Sequence, residues 1–327
     1  MIKNKFLLII FILTLLTGCG NQNSSAPVTP DPVDPTPLLP CSSFENIPDK
    51  TNGLREDFEN WLLANGYQDV ASAGVVMQYE GNCENDNNIP VIGVNKLWQY
   101  NFLYYHDYCQ MFMFRPYYDD GKLNHRASHM ARLRRLIDAV KKYTNKDKVV
   151  VIGYSFGVTF ARKAIQGGVA YESSNQSKNT ACDLGENLKD SVETFIGIGG
   201  LNRGNKACGT WPNAYTSEIN CQANGVSVDN PFIVDINGGK LNNLNPVPIA
   251  DYTFSIYSDY DCVAGGGDKN TEGTSCSYIQ GIHTSRIPGE NGSYAYNNTT
   301  FNNAHSDLQV MTEEIEDHII TQHTVPE

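Results

Sequence analysis

Gly153-Tyr154-Ser155-Phe156-Gly157 sets a serine hydroxyl between two glycines, directly after the β-branched run Val149-Val150-Val151-Ile152. A serine is a weak nucleophile until a base takes its proton. It therefore needs a histidine within hydrogen-bond reach and an acid to orient that histidine. It also needs N–H donors for the charge that grows on an attacked carbonyl oxygen. The run before Ser155 reads as a short, fully buried parallel strand, and Val158 to Ile165 as a helix. Strand, sharp turn and helix together make a nucleophile elbow, in which the turn lifts the hydroxyl clear of the sheet. Gly153 and Gly157 let strand and helix approach closely. Ser155 is the candidate nucleophile, and the Phe156 amide, at the helix N-terminus, is a candidate oxyanion donor.

The acid and base are sought downstream, in the chain order Ser, Asp, His. Asp251 to Ser258 alternates (Tyr252, Phe254, Ile256), reads as a strand and leads into Asp259-Tyr260-Asp261. A carboxylate just past a strand end can hold a histidine ring by its N–H. Asp261 is preferred, with Asp259 as the alternative. Of the later histidines, His283 falls inside a strand expected over Ser277 to Thr284, while His318 and His323 fall on or after the final helix. His305 sits in Asn302 to Asp307, a loop entering that helix (Leu308, Met311, Ile315, Ile319). A loop at the sheet edge best brings a base to the serine, so His305 is preferred over His283.

These residues need a sheet to position them. Leu54 to Asn65 carries Leu54, Phe58, Trp61 and Leu62 at helical spacing and closes at Gly66. Ile89 to Val94 reads as a buried strand, with Gly74 to Tyr79 a second candidate for the same place. Met111 to Phe114 reads as the next strand, its aromatics packing in the core. His129 to Tyr143, with Met130, Leu133, Ile137 and Val140, reads as a helix. Val192 to Gly199 is a further strand, ending in the turn Gly199 to Gly204. Helix and strand alternate as in a parallel sheet, whose ligands bind at the C-terminal strand ends. Gly167 to Asp190 reads as a polar loop. Lys206 to Ala250 reads either as a disulfide-pinned flap over the site or as a plain surface loop.

The N-terminus has its own logic. Lys3 and Lys5 precede an apolar run from Phe6 to Leu16, too short to span a bilayer, which reads as a secretory signal peptide over 1–18. Leu16-Thr17-Gly18-Cys19 resembles the lipobox of bacterial lipoproteins. That resemblance implies cleavage before Cys19 and a diacylglycerol anchor on its thiol. Gly20 after the cysteine leans towards the outer membrane or cell surface. Residues 19–40 form a Pro-rich tether, and 41–327 one catalytic domain. Removing Cys19 from the nine cysteines leaves eight, an even set that suits disulfides in an exported chain. Proximity proposes Cys208–Cys221 and Cys262–Cys276. The net charge of -12 argues against nucleic acid as a partner.

Several motifs in order carry a wider resemblance. The elbow, Thr194 to Gly200 with Asn202-Arg203, Ser255-Ile256-Tyr257-Ser258 and Ala304-His305 are similar to those of the class 2 lipases of the α/β-hydrolase superfamily. The similarity runs from about Leu54 to Ile320. It implies an α/β-hydrolase fold, a mostly parallel central sheet with helices on both faces. It implies a catalytic set of Ser155, Asp261 and His305, with Phe156 as the elbow oxyanion donor. The second donor would come from the loop after the first core strand, through the amide of Lys96 or Leu97. The chain departs from the family there, having Asn95-Lys96 where His-Gly is expected.

The implied activity is carboxylic ester hydrolysis through an acyl-enzyme. The partners would be a lipid or ester substrate and the membrane holding the anchor, for a monomeric enzyme. No cofactor is required. Gly265-Gly266-Gly267-Asp268 is a candidate loop for the structural Ca²⁺ that some lipases bind. The alternatives are an acyltransferase or a polyester hydrolase with the same residues, or a non-catalytic surface lipoprotein that uses the fold as a binding module.

Overall fold

A computed structural model describes residues 38–43, 53–71, 76–80, 89–96, 110–115, 125–172, 181–214, 221–222, 224–264, 283–298 and 303–327, with the backbone alone at 76–80, 110, 206 and 207. Leu38–Glu327 forms one compact unit. The signal peptide, Cys19, most of the tether, Leu97, Cys276 and the calcium-loop candidate lie outside the described residues.

The strands in chain order are β1 (Val76–Glu80), β2 (Val91–Val94), β3 (Gln110–Phe114), β4 (Val149–Tyr154), β5 (Val169–Tyr171), β6 (Ala181–Asp183), β7 (Val192–Ile198), β8 (Asn205–Thr210), β9 (Ser227–Val228), β10 (Tyr252–Tyr257) and β11 (Gly292–Ala295). Strand β4 is buried along its whole length, and its side chains divide between two cores. Val149 and Val151 join the core under the Ala127–Thr144 helix and the elbow helix Phe156–Gln166. Val150, Ile152 and Tyr154 join the core closed by Leu308, Ile315 and Ile319 from the C-terminal helices. Period-two alternation with apolar cover on both faces is why the sequence shows an unbroken β-branched run.

Around β4 the main sheet has the order β1-β3-β2-β4-β7-β10-β11. Only β1 runs antiparallel, against β3; the other pairs are parallel. With helices on both faces and a strand–turn–helix elbow after β4, this is the α/β-hydrolase fold. From β2 the chain goes to β3 on one side, then crosses to β4 on the other. The two loops at that reversal, after β2 and after β4, open the crevice where open α/β sheets bind ligands. Val91–Val94, rather than the Gly74 stretch, is therefore the strand beside the elbow.

Several expectations need correcting. The last strand is Gly292–Ala295, and His283 and Thr284 lie outside any strand, while 277–282 fall outside the described residues. Among the described strands β11 borders β10 alone, and it is half-buried, so it carries no apolar run to read. The final helix is two, Ala304–Met311 and Glu313–Gln322, parted at Thr312. Gly167 to Asp190 holds the hairpin β5–β6, which Cys41–Cys182 fastens to the start of the domain. Lys206 to Ala250 contains β8, β9 and the helix Pro231–Ile236, pinned by Cys208–Cys221 as proximity suggested. Cys262 is disulfide-bonded as well.

Candidate active site

The elbow is built by close approach. A Cβ on Gly157 would lie 2.3 Å from the Val94 carbonyl oxygen, and one on Gly153 2.8 Å from the Val158 Cα. Only glycine permits the elbow helix to sit this tightly against β2 and β4. Between them Ser155 is held at φ 54 and ψ -124, a conformation that costs a side-chain-bearing residue about 1–3 kcal/mol. Its amide is fixed by the Ile198 carbonyl at 2.8 Å. Phe156 is buried and begins the helix, so its amide sits at the positive end of the helix dipole.

The structure brings Ser155, His305 and Asp261 together from three segments. His305 Nε2 lies 2.8 Å from Ser155 Oγ, and His305 Nδ1 2.7 Å from Asp261 Oδ2. His305 sits in the first turn of the Ala304–Met311 helix rather than in the loop before it. Asp261 is fully buried in the turn after β10, and its other oxygen accepts the Val263 and Ala264 amides at 2.9 and 3.1 Å. With Oδ1 committed to the backbone, Oδ2 faces the ring. The carboxylate accepts a hydrogen bond from Nδ1–H, which fixes the tautomer and leaves Nε2 as an acceptor for the serine hydroxyl.

The alternative pair is placed elsewhere. Asp259 Oδ2 accepts from Asn297 Nδ2 at 2.9 Å, and Asp259 Oδ1 lies 3.9 Å from His283 Nε2. Burial pushes the His283 imidazole down to about 4, and its ring packs on Tyr257.

Sequence reasoning missed several supports. Tyr154 Oη donates to the His305 carbonyl at 2.8 Å, its phenol pushed well above the usual tyrosine range by burial and by the charge of Asp261. Gly199, at φ 54, lies beneath the pair: a Cβ there would be 3.3 Å from both Asp261 Oδ2 and His305 Cε1. Tyr154 lies inside the elbow motif and Gly199 inside the Gly-Gly turn, so both stood in stretches already singled out. Their roles emerge only in three dimensions.

Of the proposed oxyanion donors from the β2 loop, Lys96 lies beside the elbow, since Gly157 packs against Val94 and Asn95. Asn95 takes a left-handed φ of 57, which turns the chain at that point. The Lys96 side chain is fully buried and paired with Glu316.

His125 backs the elbow. It is stacked between Phe156 and Phe232, with ring centroids 4.1 and 3.7 Å away. Its Nδ1 meets the Asn224 carbonyl and its Nε2 Thr159 Oγ1, each at 2.9 Å. Full burial pushes it from 6.5 down to about 3, with the Asn224 contact opposing. The folded protein thus keeps this ring neutral where the unfolded chain would protonate it. Its contribution to stability is complete above pH 6.5 and falls as pH drops towards 3. We expect this histidine to add about 1.4 kcal/mol per pH unit to the acid slope of unfolding free energy across that window. Urea titrations of wild type and His125→Gln at pH 7 and 4.5 check it: the variant has the shallower slope.

The family model described as Lipase (class 2) matches residues 92–312. No curated protein sequence matches the chain. Among solved structures it is similar to the Bacillus licheniformis lipase BlEst2. In the propeptide form the identity is 14%, with 77% of this chain and 54% of that chain covered, at a TM-score of 0.47. In the mature form the identity is 13%, with 77% and 98% covered, at 0.46. The chain thus spans about half the length of the propeptide form. It is also similar to Est1E from Butyrivibrio proteoclasticus, at 10% identity, 76% and 96% coverage and a TM-score of 0.41.

Proposed function

Since the chain belongs to the class 2 lipase family, we propose that it is a serine hydrolase that cleaves carboxylic esters through an acyl-enzyme. The observation that carries this is the unbroken relay from Asp261 through His305 to Ser155. His305 Nε2 takes the hydroxyl proton as Ser155 Oγ attacks the ester carbonyl, and Asp261 stabilises the imidazolium. The Phe156 amide and one from the Asn95–Leu97 loop receive the charge on the tetrahedral oxygen. Collapse breaks the bond to the alkoxy oxygen, which leaves as the alcohol with the proton from His305. Water, deprotonated by the same nitrogen, then attacks the acyl carbon and releases the acid, restoring Ser155.

The reading extends to the cell envelope. The signal peptide 1–18 would export the chain, and a lipid on Cys19 would anchor it at the outer membrane or cell surface. Cys41–Cys182 and Cys208–Cys221 support an oxidising compartment.

Hydrolysis of p-nitrophenyl esters of graded chain length by residues 38–327 tests the activity. Turnover of at least one ester is expected, and its chain-length profile separates esterase from lipase. A folded protein inert towards the whole series would overturn the reading in favour of a binding module.

A further inference from the structure

Lys96 follows β2 at the turn beside the nucleophile, yet its long side chain is fully buried. Nζ lies 2.9 Å from Glu316 Oε1, both side chains having no exposure, and also donates to the Gln309 carbonyl. Gln309 is one turn beyond His305 on the same helix, and its Nε2 returns to the Asn95 carbonyl at 3.4 Å. Glu316 lies beyond the break at Thr312, whose Oγ1 is 2.7 Å from the Leu308 carbonyl and 2.8 Å from Glu316 Oε1. The loop beside the nucleophile is thus cross-braced to the helix that carries the base.

A buried ion pair is a poor source of stability, because stripping water from two charges offsets their attraction. This one is not even fully satisfied: Glu316 Oε2 is buried with no hydrogen-bond partner among the described residues. What a directional pair supplies is placement. We propose that Lys96 and Glu316 are positioning residues, which set the oxyanion amide of the β2 loop relative to Ser155 and His305. The inference rests on the ester-hydrolase reading above. It accounts for a buried lysine at this position: the loop takes its place from a strut to the C-terminal helices.

The strut acts where charge develops on the carbonyl oxygen, so its loss weakens the transition state and leaves ground-state binding alone. Displacing one oxyanion donor by an ångström is worth about 10²-fold. The test uses wild type, Glu316→Gln, which keeps shape and an acceptor oxygen, and the double variant Lys96→Met/Glu316→Leu, which removes both charges together. We expect the double variant to hold its melting temperature while kcat falls about 10²-fold at constant KM. Inhibition by an arylboronic acid, which forms a tetrahedral anion on Ser155, should weaken by a similar factor. Glu316→Gln should show the same pattern to a lesser degree. A merely structural pair would lower kcat only in step with melting temperature and leave boronate affinity tracking KM. Wild-type kcat and boronate affinity in both folded variants would overturn the inference and leave the ester-hydrolase reading standing. A wild type inert towards esters would overturn both.

Discussion

Ser155→Ala abolishes ester hydrolysis, with kcat falling on the order of 10⁶-fold, while the melting temperature holds. The size of the loss follows from the relay. Once Oγ is gone, His305 Nε2 has no proton to accept and no covalent intermediate can form. What remains is catalysis of direct water attack by the oxyanion donors and by binding. The fold should not suffer, because the features that shape the elbow are backbone and glycine. The Ile198 carbonyl holds the Ser155 amide, and Gly153 and Gly157 admit the helix. Alanine inherits the same positive φ. Steady-state kinetics with thermal melting checks both halves. A variant retaining more than about a thousandth of wild-type kcat would contradict the role given to Ser155.

Asp261→Asn lowers kcat by about 10⁴-fold with little loss of structure. Oδ1 accepts two backbone amides, from Val263 and Ala264, so asparagine keeps its carbonyl oxygen on that side and turns its NH₂ to His305. Nδ1 must then be the acceptor, and the ring proton moves to Nε2, where it faces the serine. In that tautomer the histidine cannot take the hydroxyl proton. The variant therefore binds substrate as before and fails at attack, so KM is maintained as kcat drops. Asp259→Asn, by contrast, should leave kcat near wild type, since Asp259 faces Asn297 and His283. Kinetics of the two variants side by side separates the two carboxylates. Equal losses would show that the turn as a whole, rather than Asp261, supports the base.

How much was legible in the sequence depends on whether its cause is local. The elbow is local: a buried strand alternates between two cores, and two glycines meet backbone at under 3 Å. Those requirements leave the β-branched run and the spaced glycines. Asp261 and His305 are legible as candidates because both stand at element ends, where an open sheet gathers its ligand-binding loops. Strand β11 was missed because an edge strand with half-buried side chains has no apolar signature. The break at Thr312 was missed because Leu308, Ile315 and Ile319 keep helical spacing straight through it, all facing one core. The role of Lys96 depends on a partner 220 positions away, as the residue numbers of the Lys96–Glu316 pair give it. No local pattern encodes such a contact. His125 shows the same limit: its neutrality comes from burial between Phe156 and Phe232, which lie on separate stretches of chain, and it prevails over the opposing Asn224 carbonyl.

Activation of Ser155 Oγ by His305 is tested most directly by covalent trapping. The wild-type protein is treated with a fluorophosphonate and the modified peptide is identified by mass spectrometry. One adduct is expected, on Ser155, formed quickly in wild type and far more slowly in His305→Ala. Folded wild-type protein left unlabelled at Ser155, or labelled equally fast without His305, would contradict it.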